Sequence, residues 1–273
     1  MEILKKLTKK TSGKLRLFAD VLLASTEGIQ KSLDYKKVAR KKNGEVAYQA
    51  DVQVEKIIVH ELRQQGFEGA VLAEEGGTYG SGTEKILLDP LDGSTNAVLG
   101  FPLFAILLAY STGTHLSDVE GALVFAPSLY RVYWGEKGKG AYLTTLEGTY
   151  ALSTERRKHE TGLIDVVPEN TNPNDIVTCT SYAGKYRHVG SLGLALSFTA
   201  EGILEGVVNI ANRAKIVDVA GPFLLLQEAG GSYLTDFDII DNPTKRLCFI
   251  AARNSQIKRD LTRLVWEKRV KEE

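Results

Sequence analysis

Apolar residues near the start of the chain recur at helical intervals. Ile3, Leu4 and Leu7, then Leu15, Phe18, Ala19, Leu22 and Leu23, leave a lysine-rich opposite face, which predicts a helical region over 2–33 divided at Gly13. Residues 35–48 are basic and polar and predict an exposed loop or hairpin. The stretch VQVEKIIVHELRQQG that follows predicts a helix with Asp51 as its N-cap and Gly66 just past its end. From Gly69 the texture changes. Short apolar runs at 70–73, 85–88, 103–110, 121–126, 129–134 and 141–144 are split by Gly, Pro, Ser and Asp, as expected of strands in an extended sheet. The Gly-rich 74–82 segment reads as a connector, and Lys137-Gly138-Lys139-Gly140 as a hairpin turn. The polar STERRKHETG that starts at Ser153 predicts a domain junction, giving an N-terminal α+β domain over 1–155 and a C-terminal α/β domain over 156–273. In the second part, strands are expected at 163–167, 176–180, 206–210, 233–235 and 247–251 and helices at 191–200, 217–229 and 255–270, an alternation typical of α/β architecture.

Bulk properties change this picture little. The 273 residues suffice for a large core, and Lys+Arg and Asp+Glu both count 34. That balance gives no reason to expect nucleic acid or a charged membrane as partner, while a small anion remains compatible because a metal can supply the positive charge. Cys179 and Cys248 lie in apolar stretches without a Cys or His at ligand spacing, so buried reduced thiols are expected. No apolar run is long enough to span a bilayer and the lysine-rich start lacks a signal-peptide core, which predicts a cytoplasmic protein.

The chemistry concentrates in acidic residues at the ends of predicted strands and helices. Glu74 and Glu75 follow a strand, Asp89 and Asp92 follow another, Asp218 has apolar neighbours on both sides, and Asp51 begins a helix. Carboxylates in such places are costly unless something pairs with them, and oxygen-only ligands suit Mg²⁺ or Mn²⁺ better than zinc. In LLDPLDGSTN, Pro90 stiffens the bend between the two aspartates, with the Leu91 carbonyl between them. Gly93 allows a turn that a Cβ would obstruct, and Ser94 and Thr95 follow at a helix start suited to an anion. By spacing alone an Asx-turn explains D-x-x-D-G equally well.

The ordered set Asp51, Ala73-Glu74-Glu75, Asp89-Pro90-Leu91-Asp92-Gly93-Ser94-Thr95-Asn96 and Val217-Asp218-Val219-Ala220-Gly221 resembles the inositol monophosphatase superfamily of Mg²⁺-dependent, lithium-sensitive phosphatases. Gly190-Ser191 in YRHVGSLGLAL resembles the segment that lies beside the substrate hydroxyls in that family. The resemblance implies a layered α-β-α-β-α sandwich, a homodimer, and hydrolysis of inositol monophosphate, fructose 1,6-bisphosphate or both by attack of a metal-activated water. It implies that Glu74, Asp89 and the Leu91 carbonyl hold one ion, that Asp89, Asp92 and Asp218 hold a second, and that Glu74 shares a weaker third with Asp51 nearby through water. Glu74 and Ser94 would orient the water, and Gly93, Ser94 and Thr95 would cradle the phosphate, with Asp92, Gly190 and Ser191 at the rest of the substrate. Val217 stands where the family often has Trp, Ala73 where Gly is usual, and Ala211 where animal members carry a substrate-binding Glu, which leaves inositol specificity open. Arg213 and Lys215 are candidates for a second phosphate or a solvated pair, and the basic 36–42 loop for a lid or a solvated loop. His188, Ser181 and Tyr182 are candidate pocket residues, and His60 a structural or exposed one. Rival readings are a phosphatase acting on 3′-phosphoadenosine 5′-phosphate or NADP(H), and a catalytically silent scaffold of the same fold.

Overall fold

A computed structural model describes residues 1–32, 38–40, 46–155 and 162–267, with the side chains of 38–40, 46–48 and Val98 excepted. The helical start divides at Gly13, as its pattern predicts, into α1 (Glu2–Thr8) and α2 (Gly13–Ser32). A two-stranded hairpin, β1 (Val38–Arg40) and β2 (Val46–Tyr48), leads into α3 (Gln49–Gln64). The remaining parts of the expected 36–42 lid, and 156–161 of the expected domain junction, lie outside the described residues. Helix α3 begins two residues before Asp51, which therefore sits in the first turn and not at the cap. Gly66 adopts φ +83° just past its end.

Eight strands then build one sheet: β3 (Ala70–Ala73), β4 (Gly77–Tyr79), β5 (Lys85–Asp92), β6 (Ala105–Ser111), β7 (Val119–Ala126), β8 (Arg131–Glu136), β9 (Ala141–Thr144) and β10 (Thr149–Ala151). The short α4 (Ser94–Leu99) is set between β5 and β6. The strand order is β10-β9-β8-β7-β6-β5-β3-β4, antiparallel throughout except for the parallel pair β3 and β5. Strands β5 and β6 are buried almost end to end, which explains their near-continuous apolar runs: both faces of the sheet are covered.

The second sheet contains β11 (Leu163–Val166), β12 (Lys185–Arg187), β13 (Gly206–Lys215), β14 (Ser232–Thr235) and β15 (Arg246–Ala252), in the order β12-β11-β13-β15-β14. Helices α5 (Pro173–Ala183), α6 (Leu192–Ala200), α7 (Ile216–Glu228) and α8 (Ser255–Leu261) accompany it, and Thr262–Trp266 continues α8 with π-type bonding. The strand expected at 176–180 is wrong; these residues belong to α5. Asn172 caps that helix by accepting from the Asn174 N–H at 3.0 Å, Pro173 occupies its first turn and Gly184 takes φ +85° at its end. The apolar run is too short for its period to distinguish the two states, and the capping residues decide.

Three apolar layers hold the molecule together. One joins α1, α2 and α3 to the near face of the eight-stranded sheet through Phe18, Leu22, Ile58 and Leu88. The largest fills the space between the two sheets: Leu107 and Tyr133 meet Leu194 and Leu196 of α6, Phe223 and Leu225 of α7, and Phe249 of β15. A third packs Cys179 and Leu261 against Ile164 and Ile250 on the outer face of the five-stranded sheet. The result is a five-layered α-β-α-β-α arrangement. Cys179 and Cys248 are both buried thiols.

Candidate active site

Strand pairing alone brings the first two carboxylates together. The parallel register matches Ala73 with Leu88, so the next residues, Glu74 and Asp89, stand side by side at the carboxyl ends of neighbouring strands. The Glu74 N–H extends the ladder by donating to the Leu88 carbonyl at 3.2 Å. The pairing of β5 with β6 slips between Asp89 and Asp92, where Pro90 has no N–H to give, and the Leu91 N–H turns back to Asp89 Oδ1 at 3.0 Å.

Asp218 arrives from the other side. It sits in the first turn of α7, between the sheets, and its Oδ2 accepts the Lys215 N–H at 2.8 Å. Glu74, Asp89 and Asp218 each present an oxygen such that all three lie within 4.8 Å of one another. Burial pushes the Asp89 carboxyl well above the usual range, and Glu74, Asp92 and Asp218 push it further. Burial and Glu74 do the same to Asp218, against the pull of Lys215. Three mutually repelling carboxylates, Asp89 buried and Glu74 and Asp218 half-buried, are the expected signature of a hard-cation site.

The other expected site residues lie on α3, from the end of β5 into α4, and just ahead of α6. Asp92 is buried and its carboxylate faces the start of α6. Oδ2 accepts from Ser191 Oγ at 2.5 Å and the Gly193 N–H at 2.7 Å, and Oδ1 from the Leu192 N–H at 3.0 Å. Burial raises its pKa to about 6 although all three donors work against that rise. Asp51 is buried in α3, whose Ala50 packs with Leu91 and Ala97. Asp51 and Asp92 stand outside the three-carboxylate group. Gly93 adopts φ +82° at the cap of α4, Ser94 is half-buried and Thr95 exposed. Gly190 and Ser191 line a cavity of about 190 Å³ together with Asp92, Asp165, His188 and Arg213. His188 reaches it between Asp165 (3.9 Å) and Glu169 (3.4 Å), and these carboxylates, Asp165 first, raise the imidazole pKa. Ser181 and Tyr182 do not line it; they lie on α5, with the Tyr182 hydroxyl donating to Asp260 at 3.1 Å. His60 is exposed. Arg213 reaches the cavity from a bulge in β13 where Asn212 takes φ +55°, whereas Lys215 pairs with Glu74 and not with it in the cavity.

Several supporting residues escape sequence reasoning. Glu55 is buried on α3 and accepts the Glu75 N–H (2.7 Å), the Gly76 N–H (2.7 Å) and the Tyr79 hydroxyl (2.8 Å), clamping the turn that carries Glu74. Its position on the apolar side of the helix, one residue after Val54 and three before Ile58, is the signal that was available. Asn96 donates to the carbonyls of Leu103 and Val189, at 2.7 and 2.8 Å, and so ties α4 to the segment before Ser191. Nothing in its local sequence indicates that reach.

Known proteins similar to this chain share one family and one fold. The model of the inositol monophosphatase family matches residues 7–269. A fructose-1,6-bisphosphatase/inositol-1-monophosphatase from Thermococcus kodakarensis is 32% identical over 230 residues, spanning 79% of this chain and 81% of that protein. A Nus factor SuhB from Xylella fastidiosa is 29% identical over 214 residues, spanning 76% and 74%. A solved structure from Pyrococcus horikoshii, described as having similarities to inositol-1 monophosphatase, superimposes with a TM-score of 0.78 at 25% identity, covering 92% of this chain and 97% of that one. With the fold, the acidic cluster and a match along nearly its whole length in agreement, the chain belongs to the inositol monophosphatase family, a family of metal-dependent phosphoric monoester hydrolases.

Proposed function

We propose that this phosphatase is Mg²⁺-dependent and hydrolyses inositol monophosphate, fructose 1,6-bisphosphate or both. The observation that carries the reading is the convergence of Glu74, Asp89 and Asp218 within 4.8 Å. An all-oxygen donor set with no His or Cys fits a hard divalent ion. Glu74, Asp89, Asp218 and the Leu91 carbonyl would hold the metal, with Asp92 and Asp51 beside them, and Mn²⁺ is a reasonable substitute. A divalent ion bound there lowers the pKa of water and neutralises charge on the transferring phosphoryl group. Glu74 and Ser94 orient the attacking water, and Gly93, Ser94 and Thr95 bind the phosphate oxygens. Water oxygen bonds to phosphorus as the ester P–O bond breaks, and the leaving alkoxide takes a proton, giving an alcohol and inorganic phosphate.

The cavity beside Asp92 supports a small polyol as the alcohol. Its lining supplies carboxylates, His188 and Arg213, with Val167 and Leu192 as apolar contacts and no aromatic platform for a nucleotide base. Two copies of the chain, each with its own site, are the assembly we expect. Phosphate release from inositol 1-phosphate, fructose 1,6-bisphosphate and 3′-phosphoadenosine 5′-phosphate, with Mg²⁺ and with EDTA, tests the reading directly. The first two are the expected substrates, and Asp89→Asn or Asp218→Asn should lower kcat by roughly 100-fold or more, as loss of an electrostatic contact at the reacting phosphoryl group would. Full activity in EDTA, or in both variants, would show the site to be misassigned.

A further inference from the structure

We propose that Lys215 is a built-in cation of the carboxylate cluster, one that neutralises Glu74 in the metal-free protein and has to move aside when a divalent ion enters. Lys215 Nζ donates to Glu74 Oε1 at 2.5 Å, and its side chain is only 15% exposed. Glu74 is one of the three clustered acids, so the ammonium stands at the cluster and not in solvent. The placement follows from local structure. Lys215 is the N-cap of α7, and its backbone N–H bonds Asp218 Oδ2. One turn of chain thus delivers both an acidic member of the cluster and a cation that competes for another.

The energetic consequence has two parts. Without an added ion, like charges this close and largely out of water repel, and a lysine ammonium against one of them offsets the repulsion. With a divalent ion arriving, the ammonium becomes a like charge at contact range, and the ion gains the cluster only as Lys215 leaves Glu74. Lys215 therefore sets a threshold for metal entry. Arg213, two residues earlier, supplies an internal comparison: it is exposed, lines the neighbouring cavity, and contributes charge without sitting on the cluster. The inference rests on the metal-site reading for the nature of the incoming ion, but it concerns Lys215 alone.

Isothermal calorimetry of the EDTA-stripped full chain with Mn²⁺ tests it, comparing the natural protein with Lys215→Met and Arg213→Met. The Met side chain at 215 removes the ammonium but keeps the backbone N–H that orients Asp218. Lys215→Met should bind Mn²⁺ about tenfold tighter, in line with the effect of one charge at contact distance, and Arg213→Met should change little. The metal-free Lys215→Met protein should also melt below the natural one. Equal affinity for the natural and Lys215→Met proteins, or an equal gain in Arg213→Met, overturns the proposal. Binding of Mn²⁺ by none of them overturns it, and the metal-site reading falls with it only if Mg²⁺-dependent phosphate release is absent as well. A second measurement needs no variant. Trace acetylation of the natural protein, read by peptide mass spectrometry, should modify Lys215 faster after Mn²⁺ is added, relative to Lys31, whose side chain is 74% exposed. An unchanged or slower rate at Lys215 counts against displacement and overturns the proposal.

Discussion

Gly93 is under two separate constraints. Its φ of +82° lies in the left-handed region, and a Cβ there would come within 2.9 Å of the carbonyl oxygens of Leu103 and Gly190. Those two carbonyls belong to different halves of the chain, so the glycine lets α4 seat between them. Gly93→Ala should cost about 1–3 kcal/mol in urea unfolding from backbone strain alone. The same substitution moves Asp92 and Ser94, its direct neighbours, so kcat should fall further than the stability loss explains. An Ala variant with natural stability and natural kcat would show that the turn accepts a Cβ and that neither constraint holds. At this scale the sequence is informative where a residue type conflicts with its surroundings. Acids that end or interrupt apolar runs, such as Asp89 and Asp218, announce themselves. Lys215 does not, because a lysine at a helix start is ordinary until Glu74, far away in the chain, is found against it.

Among elements, the long strands and amphipathic helices are legible because burial dictates their pattern. Strands β4, β10 and β12, three residues each, carry no such pattern; β12 is exposed along its whole length. Helix α5 misleads for the opposite reason, since its apolar stretch fits either period. The meeting of α6 with Asp92 is also beyond sequence reach: the Ser191 cap is recognisable, but its bond to an aspartate of the other sheet is not. One contact between elements makes a pH prediction. His188, ahead of α6, lies between Asp165 of β11 and Glu169 just after it, and these carboxylates, Asp165 first, raise its pKa above the ordinary 6.5. A histidine whose folded pKa is raised adds stability that is fully present below its unfolded pKa and is lost as pH rises through the folded value. Urea midpoints of the natural protein and His188→Gln should therefore differ most near pH 5.5 and converge by pH 8.5 or so. A gap that is constant or widens with pH would mean the imidazolium is not what joins these elements.

For the whole molecule, the decisive arrangement is that the cluster belongs to neither sheet alone. Glu74 and Asp89 come from the eight-stranded sheet, and Asp218 comes on α7, which lies with α6 in the apolar layer between the two sheets. The family pattern made this combination readable in the sequence as an order of motifs, but the reason it works is the shared core that fixes α7 against β5 and β7. A cation held by all three acids therefore links the folded positions of distant segments and has no counterpart in the unfolded chain. Any ligand of that kind stabilises by mass action, by about 2.7 kcal/mol at a hundred times its Kd. For a chain of this length that corresponds to a rise in Tm of roughly 5 °C or more. Melting in saturating Mg²⁺ against EDTA should show the rise in the natural protein and little of it in Asp218→Asn, which removes the contribution of α7 while leaving Glu74 and Asp89 in place. If Asp218→Asn kept the full rise, the ion would be bound by the eight-stranded sheet alone, and the two sheets would be held together by their apolar layer without help from the metal.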